Sequence, residues 1–451
     1  MFDPKFISYI DSEAFKIIEL VTSYETEGNK SKTKIVSGSI TEKPFIDWSE
    51  KIIEGPLVEK QQSINGDILK ITKTNNSVCH ELNIHACAHL KKLSQSIFKN
   101  GNINNKVDYD FISSKLLDWI FDTVQNKKAN SNFMVYLLDE ITNSIEKLRI
   151  SFKVLHLEIE HTFRLGNIEF NYFTKEFLDK LNSNDTNLKQ NETSLDNKYQ
   201  GQVFVSCIVE AEPMRAEKIA FDKCSLAVDI LKILSLTVQF PIHRIIFDID
   251  SRIRFNPDHH ETILQNLNIE NDFRINLVSS RNGQLPCIVN NSELVRMYKL
   301  GFTIFSQYIN TSNNSELNKI IHNSIHNFAN ALSNNDLHKR IVDLFSVLES
   351  LLLKDDNQPI SDSISTYLSK LVTNEFLERK NIILITRELY KIRSQMIHHF
   401  KRTEINLEHL RVFQMSILFL LKKMIEKSKI HDTKQSLFEE IDNEIIKAYN
   451  S

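Results

Sequence analysis

The spacing of apolar residues changes character once along this chain, near residue 311. Beyond the polar junction Thr311-Ser312-Asn313-Asn314-Ser315, apolar residues recur at three- and four-residue intervals, the spacing that lines one face of a helix. The pattern predicts helices over 316–332, 336–353, 361–372, 378–400, 407–427 and 434–448. Before the junction the periods are mixed. Residues 1–100 carry short apolar stretches between polar turns and read as strands and loops, and helices are expected from Tyr109 and from Asn132. Alternation over 150–154 and 157–160, and the turn pair Gly166-Asn167 between two short apolar runs, predict sheet strands. A strand over 202–209 leads through Pro213 into a helix over 214–236, followed by strands at 244–250 and 273–278 and a helix over 292–308. The stretch 183–200, rich in Asn, Asp, Thr and Lys, buries too little apolar surface to fold and reads as a loop or linker. The fold class is α+β: an N-terminal mixed α/β region over 1–310, then an all-α helical bundle over 311–451.

Composition narrows the setting. In 451 residues, 41% hydrophobic and 25% charged is ordinary for a soluble protein of two or three domains. A formal net charge of -3 supplies no global attraction to nucleic acid or acidic membranes, so any RNA contact must come from a local basic patch. The longest apolar run, from Met415 to Leu421, stops at Lys422 and Lys423, far short of the roughly 20 residues of a membrane span. Met1-Phe2-Asp3-Pro4-Lys5-Phe6 has no basic segment leading into an apolar one, so a cytoplasmic location and no membrane partner are expected. Cys79, Cys87, Cys207, Cys224 and Cys287 are scattered and suit reduced thiols. Cys79, His80, His85, Cys87 and His89 cluster in sequence with the thiolate and imidazole chemistry zinc prefers, but without a Cys-x-x-Cys knuckle. Coincidence is the better reading, and no metal or cofactor is expected.

The stretch with the most chemistry is Tyr390-Lys391-Ile392-Arg393-Ser394-Gln395-Met396-Ile397-His398-His399, late in the helix expected over 378–400. Cleaving RNA without a metal takes a base for the ribose 2'-hydroxyl proton and a cation for the charge gathering on phosphate. His398 and Arg393 are the catalytic candidates for those two roles. Positions five apart on a helix diverge by about 140°, so the pair would flank a groove rather than share a stripe. Ser394 shares a face with His398 and would orient the ring or touch phosphate, unless it is a solvated serine. Tyr390 would stack on a base or on the guanidinium, unless it packs in the core. Lys391, Lys401 and Arg402, with Arg387, form a basic concentration suited to RNA phosphates, though Glu388 and Glu404 dilute it and solvated charge is the common alternative. Asp248-x-Asp250 has acids on alternate strand positions but no Gly-Ser motif before it, His259-His260 lacks partners, and no P-loop, dinucleotide glycine motif or nucleophile elbow is present.

The helical part resembles the HEPN superfamily, specifically the Apea-like HEPN domains of bacterial anti-phage proteins, over about 316–427. The stretch from Asn323 to Leu332, followed by that from His338 to Leu352, looks like the opening helix pair of that group, with an acidic residue at Glu349. Leu389 to His398 is similar to the family's Tyr-x-x-Arg-Ser then apolar-His pattern, and 407–427 to its closing helix. His399 stands where the group more often has glycine, which leaves open which imidazole works; His398 keeps the spacing.

The resemblance implies a metal-independent endoribonuclease acting in anti-phage defence or abortive infection, with RNA as substrate. It implies a homodimer whose two Arg-His sets form one composite site, giving a 2',3'-cyclic phosphate and a 5'-hydroxyl. Glu349 would pair with Arg393 and fix its direction, or cap a core edge. The region 1–310 would hold the nuclease in check until a phage-derived trigger arrives. The alternative is a non-catalytic HEPN dimerisation or RNA-binding scaffold. A third reading, an N-terminal enzyme regulated by the helices, has no catalytic constellation behind it.

Overall fold

The computed structural model describes residues 3–25, 33–40, 46–53, 57–63, 68–75, 78–126, 132–176, 200–243, 245, 247–250, 262–266, 268, 272–276, 287–311, 315–354 and 359–450. They form two compact units: Met1–Glu146 with Glu210–Ala216, and Lys147–Val209 with Glu217–Ser451.

The first unit contains α1 (Pro4–Glu19), β1 (Val21–Glu25), β2 (Thr33–Ile40), β3 (Ile46–Ile53), β4 (Leu57–Gln62), β5 (Ile68–Asn75) and β6 (Val78–Leu82), then α2 (Ile84–Phe98), α3 (Gly101–Asn104), α4 (Tyr109–Asn126) and α5 (Phe133–Ser144). Four strands pair antiparallel in the order β1-β6-β5-β4, and β2 pairs with β3. Residues 1–100 thus hold two helices, α1 and α2, where strands and loops are the sequence expectation. The local signals exist. Asp3 accepts the Lys5 N–H at 2.9 Å ahead of Pro4, and Ile10, Ala14 and Ile17 make the buried stripe of α1. Asn83 accepts the Ala86 N–H at 3.0 Å, and Ala86, Leu90, Leu93 and Ile97 make that of α2. Each stripe is only three or four apolar residues long, which is why the period is faint.

The second unit contains β7 (Glu146–Leu155, from Lys147 on), β8 (Leu157–Ile159), β9 (Phe163–Leu165), β10 (Ile168–Tyr172) and β11 (Val203–Ala211, up to Val209), followed by α6 (Pro213–Ile233, from Glu217 on). It continues with β12 (Asp248–Ile249), β13 (Thr262–Asn266), β14 (Asp272–Asn276) and β15 (Cys287–Val289). The sheet order is β14-β13-β7-β11-β10-β9, with β12 also on β7, and β15 pairs parallel with β8. Helices then run alone: α7 (Asn291–Leu300), α8 (Phe302–Ile309), α9 (Glu316–Ser333), α10 (Leu337–Leu352), α11 (Ile360–Val372), α12 (Phe376–His399), α13 (Leu407–Lys427) and α14 (Lys434–Asn450). The single helix expected over 292–308 is two, broken at Gly301, whose φ of 117° is left-handed and where a Cβ would lie 2.8 Å from the Lys422 side chain.

The protein is mixed α and β, with antiparallel sheets and a helical C-terminal part. The boundary expected at 311 falls inside the second unit. Composition does change there, but packing runs across it: the Tyr308 hydroxyl donates to the Asn318 carbonyl at 3.0 Å, Arg340 donates to the Pro241 carbonyl at 2.6 Å, and the buried Gln414 amide donates to the carbonyls of Thr237 and Val238 at 2.9 and 3.2 Å. Residues 183–199 and the pair His259-His260 lie outside the described residues. Among the described residues no helix is long and apolar enough to cross a membrane.

Candidate active site

Helix α12 carries the stretch that stood out in the sequence. Ile382, Ile385, Leu389 and Ile392 recur at three- and four-residue spacing and are its buried face. Tyr390 meets Phe345 of α10 edge-on, ring centroids 5.4 Å apart, and Phe345 also meets Phe413 of α13 at 5.0 Å. This aromatic contact sets the register of α10 against α12. Beside that contact, Arg393 Nη2 donates to Glu349 Oε1 at 3.0 Å, joining α12 to α10 a second time. The guanidinium also lies 5.5 Å from the Tyr390 ring centroid. Tyr390 thus packs in the helix contact and stacks on the arginine at once.

The Arg393 side chain is 17% exposed, and its Nε is buried with no hydrogen-bond partner among the described residues. A guanidinium held by one carboxylate oxygen, with further N–H donors unbound, is oriented but not saturated. Because Nε is buried, it is the terminal nitrogens of the partly exposed side chain that a phosphate would meet.

His398 and His399 occupy the last turn of α12, both exposed, with ring centroids 6.4 Å apart. Seven residues on a helix return to nearly the same side. His399 thus continues the buried line through Ile385 and Ile392, beyond the edge of the core, whereas His398 continues an exposed line through Leu377, Leu384 and Lys391. Neither imidazole bonds Arg393, Glu349 or Ser394, and Ser394 is half-buried without a side-chain hydrogen bond among the described residues. One chain therefore gathers Arg393, Glu349 and Tyr390, and leaves His398 outside that group.

The helix ends abruptly after His399. Phe400 is left-handed, φ 49°, a conformation rare for a bulky side chain, and its N–H donates to the Met396 carbonyl at 3.1 Å while Lys401 N–H donates to that of Gln395 at 3.2 Å. The following residues are tied to the start of α10. Arg402 pairs with Asp336, the N-cap of α10, and His338 Nε2 lies 2.8 Å from the Thr403 carbonyl. Burial raises the Asp336 carboxyl, but the Lys339 N–H, Arg402 and the His338 N–H outweigh it and hold the group below its ordinary value.

The basic concentration is accordingly thinner than its sequence suggests. Arg402 is paired with Asp336, and Arg387 with Asp362 at 2.9 Å. Lys391 and Lys401 remain exposed without an ion pair among the described residues.

The other candidates have structural partners. Asp248 receives the buried Lys232 ammonium at 2.6 Å, which explains an acid there without a metal role. The His80 ring sits 2.7 Å from Ser23 Oγ, the Cys87 thiol donates to the Leu82 carbonyl at 3.5 Å, and the His89 ring lies 2.7 Å from Glu13. Among the described residues no three His, Cys, Asp or Glu side chains converge as a metal site. A cluster that spacing did not reveal joins α6 and α9: His326 Nδ1 lies 2.9 Å from the buried Asp229, itself 3.8 Å from Lys232. Its partners are 97 residues apart in sequence, so nothing local announces it.

No protein-family model, curated protein or solved structure matches this chain.

Proposed function

We propose that the end of α12 is the site of a metal-independent, HEPN-type endoribonuclease, acting in anti-phage defence or abortive infection. The observation that carries the chemistry is the state of Arg393: oriented by Glu349, stacked on Tyr390, and still partly open to solvent. It would clamp the scissile phosphate and balance the charge developing there, a role in which lysine is inferior. His398 would take the 2'-hydroxyl proton, the 2'-oxygen would attack phosphorus, and the 5'-oxygen would leave with a proton from a second imidazole. The products are a 2',3'-cyclic phosphate and a 5'-hydroxyl.

The second imidazole would come from another copy of the chain. His398 ends a line that includes exposed Leu377 and Leu384, and apolar side chains open to water on one helix face favour a partner. A dimer pairing these faces would bring two His398 side chains together and relieve their separation from Arg393. Defence rests on the HEPN resemblance alone, as does restraint by the first unit until a phage-derived trigger binds.

The same apolar line favours one other reading, a HEPN scaffold that dimerises or binds RNA without cutting it. Purified protein incubated with single-stranded RNA in excess chelator separates them. Cleavage is expected, falling by about 10²–10⁴-fold in His398→Ala while the mass in solution stays unchanged. Equal cleavage by that variant contradicts the assignment, and a wild type that cuts no more RNA than His398→Ala even in lysate of phage-infected cells, where a trigger is present, favours the scaffold.

A further inference from the structure

Phe400 is the most exposed large apolar side chain among the described residues, 84% open to solvent. It stands directly between His399 and Lys401, one residue beyond the last turn of α12. Its backbone is left-handed, which favours glycine, so a helix stop alone gives no reason for phenylalanine here. Nor is the position loose. The Phe400 and Lys401 N–H groups are bonded into the end of α12, and Arg402 and Thr403 are held by Asp336 and His338 at the start of α10. A large ring therefore stands in water on a backbone held in a costly conformation, next in sequence to His399 and to the exposed Lys401.

We propose that Phe400 is a stacking platform for one RNA base, placing the nucleotide next to the scissile phosphate. This inference rests on the ribonuclease reading of the α12 end. An aromatic face stacks any base, and cations on either side of it suit the flanking phosphates. Lys401 supplies one such cation, and the exposed His398 and His399 precede the ring in the last turn of α12. A second copy of the chain would also cover an apolar ring, but a ring flanked in sequence by His398, His399 and Lys401 matches a polyanion with apolar bases better than it matches an apolar helix face.

The test uses the full chain and a single-stranded 2'-fluoro RNA, which lacks the attacking hydroxyl, with 2-aminopurine at successive positions. Stacking quenches the fluorescence of that base. Wild type and Phe400→Trp are expected to bind and quench at one position. Phe400→Ala and Phe400→Gly should bind about ten-fold more weakly, the scale of one base–aromatic stack, and lose the quench. The glycine variant relieves the left-handed backbone, so its melting temperature should not fall, and its weaker binding cannot be misfolding. Binding and quenching by Phe400→Ala equal to wild type overturn the proposal, as does failure of the wild type to bind RNA. A Phe400→Ala protein that sediments as monomer where the wild type is a dimer, and binds RNA unchanged, assigns Phe400 to the chain–chain contact instead. Wild type that quenches yet cleaves unmodified RNA no more than His398→Ala does, in lysate of phage-infected cells as well as alone, leaves the platform standing and removes the nuclease.

Discussion

Two arginines at opposite ends of one helical region differ instructively. Arg340, in the first turn of α10, is 1% exposed, and its Nε and Nη2 donate to the Asn334 carbonyl at 3.0 and 2.7 Å while Nη1 donates to that of Pro241 at 2.6 Å. Burial lowers its pKa to about 10, still high enough to leave it charged at neutral pH. Arg393, on α12, has one bond to Glu349 and an Nε with no partner. The first arginine fastens loop carbonyls to a helix. The second is aimed by one bond and left partly open to solvent, where its terminal nitrogens can meet a phosphate.

The contrast can be broken by substitution. Arg340→Ala orphans two carbonyls and opens a cavity, so guanidinium unfolding should show a loss of about 3–5 kcal/mol. Arg340→Met, which fills most of the volume, should lose less. Arg393→Ala should do the reverse: RNA cleavage falls by about 10²–10³-fold while stability changes by no more than about 1 kcal/mol. If Arg393→Ala unfolds the protein as Arg340→Ala does, the two arginines are both structural and the distinction fails.

Smaller effects sharpen it. Glu349→Gln keeps one hydrogen bond to Arg393 but removes the opposing charge, so cleavage should fall by about ten-fold, mostly in kcat, without loss of RNA binding. Binding lost in parallel would place Glu349 in the fold rather than in orientation. Asp336→Ala removes the cap of α10 and the anchor of Arg402, at about 1 kcal/mol. The folded-state pKa of Asp336 lies below its ordinary 3.8, so its contribution is fully present above that value and fades as pH falls through the lowered one. Melting temperatures of wild type and variant should converge in that acidic range. A gap that persists there assigns the effect to packing.

Much of the helical part was legible because its stripes are long. The helix expected over 407–427 is α13 to the residue, and those over 316–332 and 378–400 are α9 and α12 within two residues at each end. The short stripes of α1 and α2 were hidden among polar residues, although the caps Asp3 and Asn83 mark both starts. The polar junction at 311 suggested a domain edge because composition reports solvent contact, whereas the long-range bonds of Arg340, Gln414 and Tyr308 that bind the helices to earlier elements leave no local trace. At the candidate site, spacing placed Arg393 and His398 on one helix and showed that they diverge. The Glu349 pairing and the Tyr390 stacking on Arg393 were each one of two readings the sequence left open, and the structure holds both; the sequence did not show that Arg402 is tied to Asp336 or that Phe400 stands in water. Those follow from which helices touch.

The central claim is that this helix end cleaves RNA by 2'-hydroxyl attack with no metal. The most direct measurement is mass spectrometry of the fragments released from a single-stranded RNA by the full chain in excess chelator. The account predicts fragments ending in a 2',3'-cyclic phosphate with 5'-hydroxyl partners, lost in His398→Ala and absent when the 2'-hydroxyl is replaced by fluorine. Fragments bearing 5'-phosphates, or cleavage that survives both changes, would contradict it.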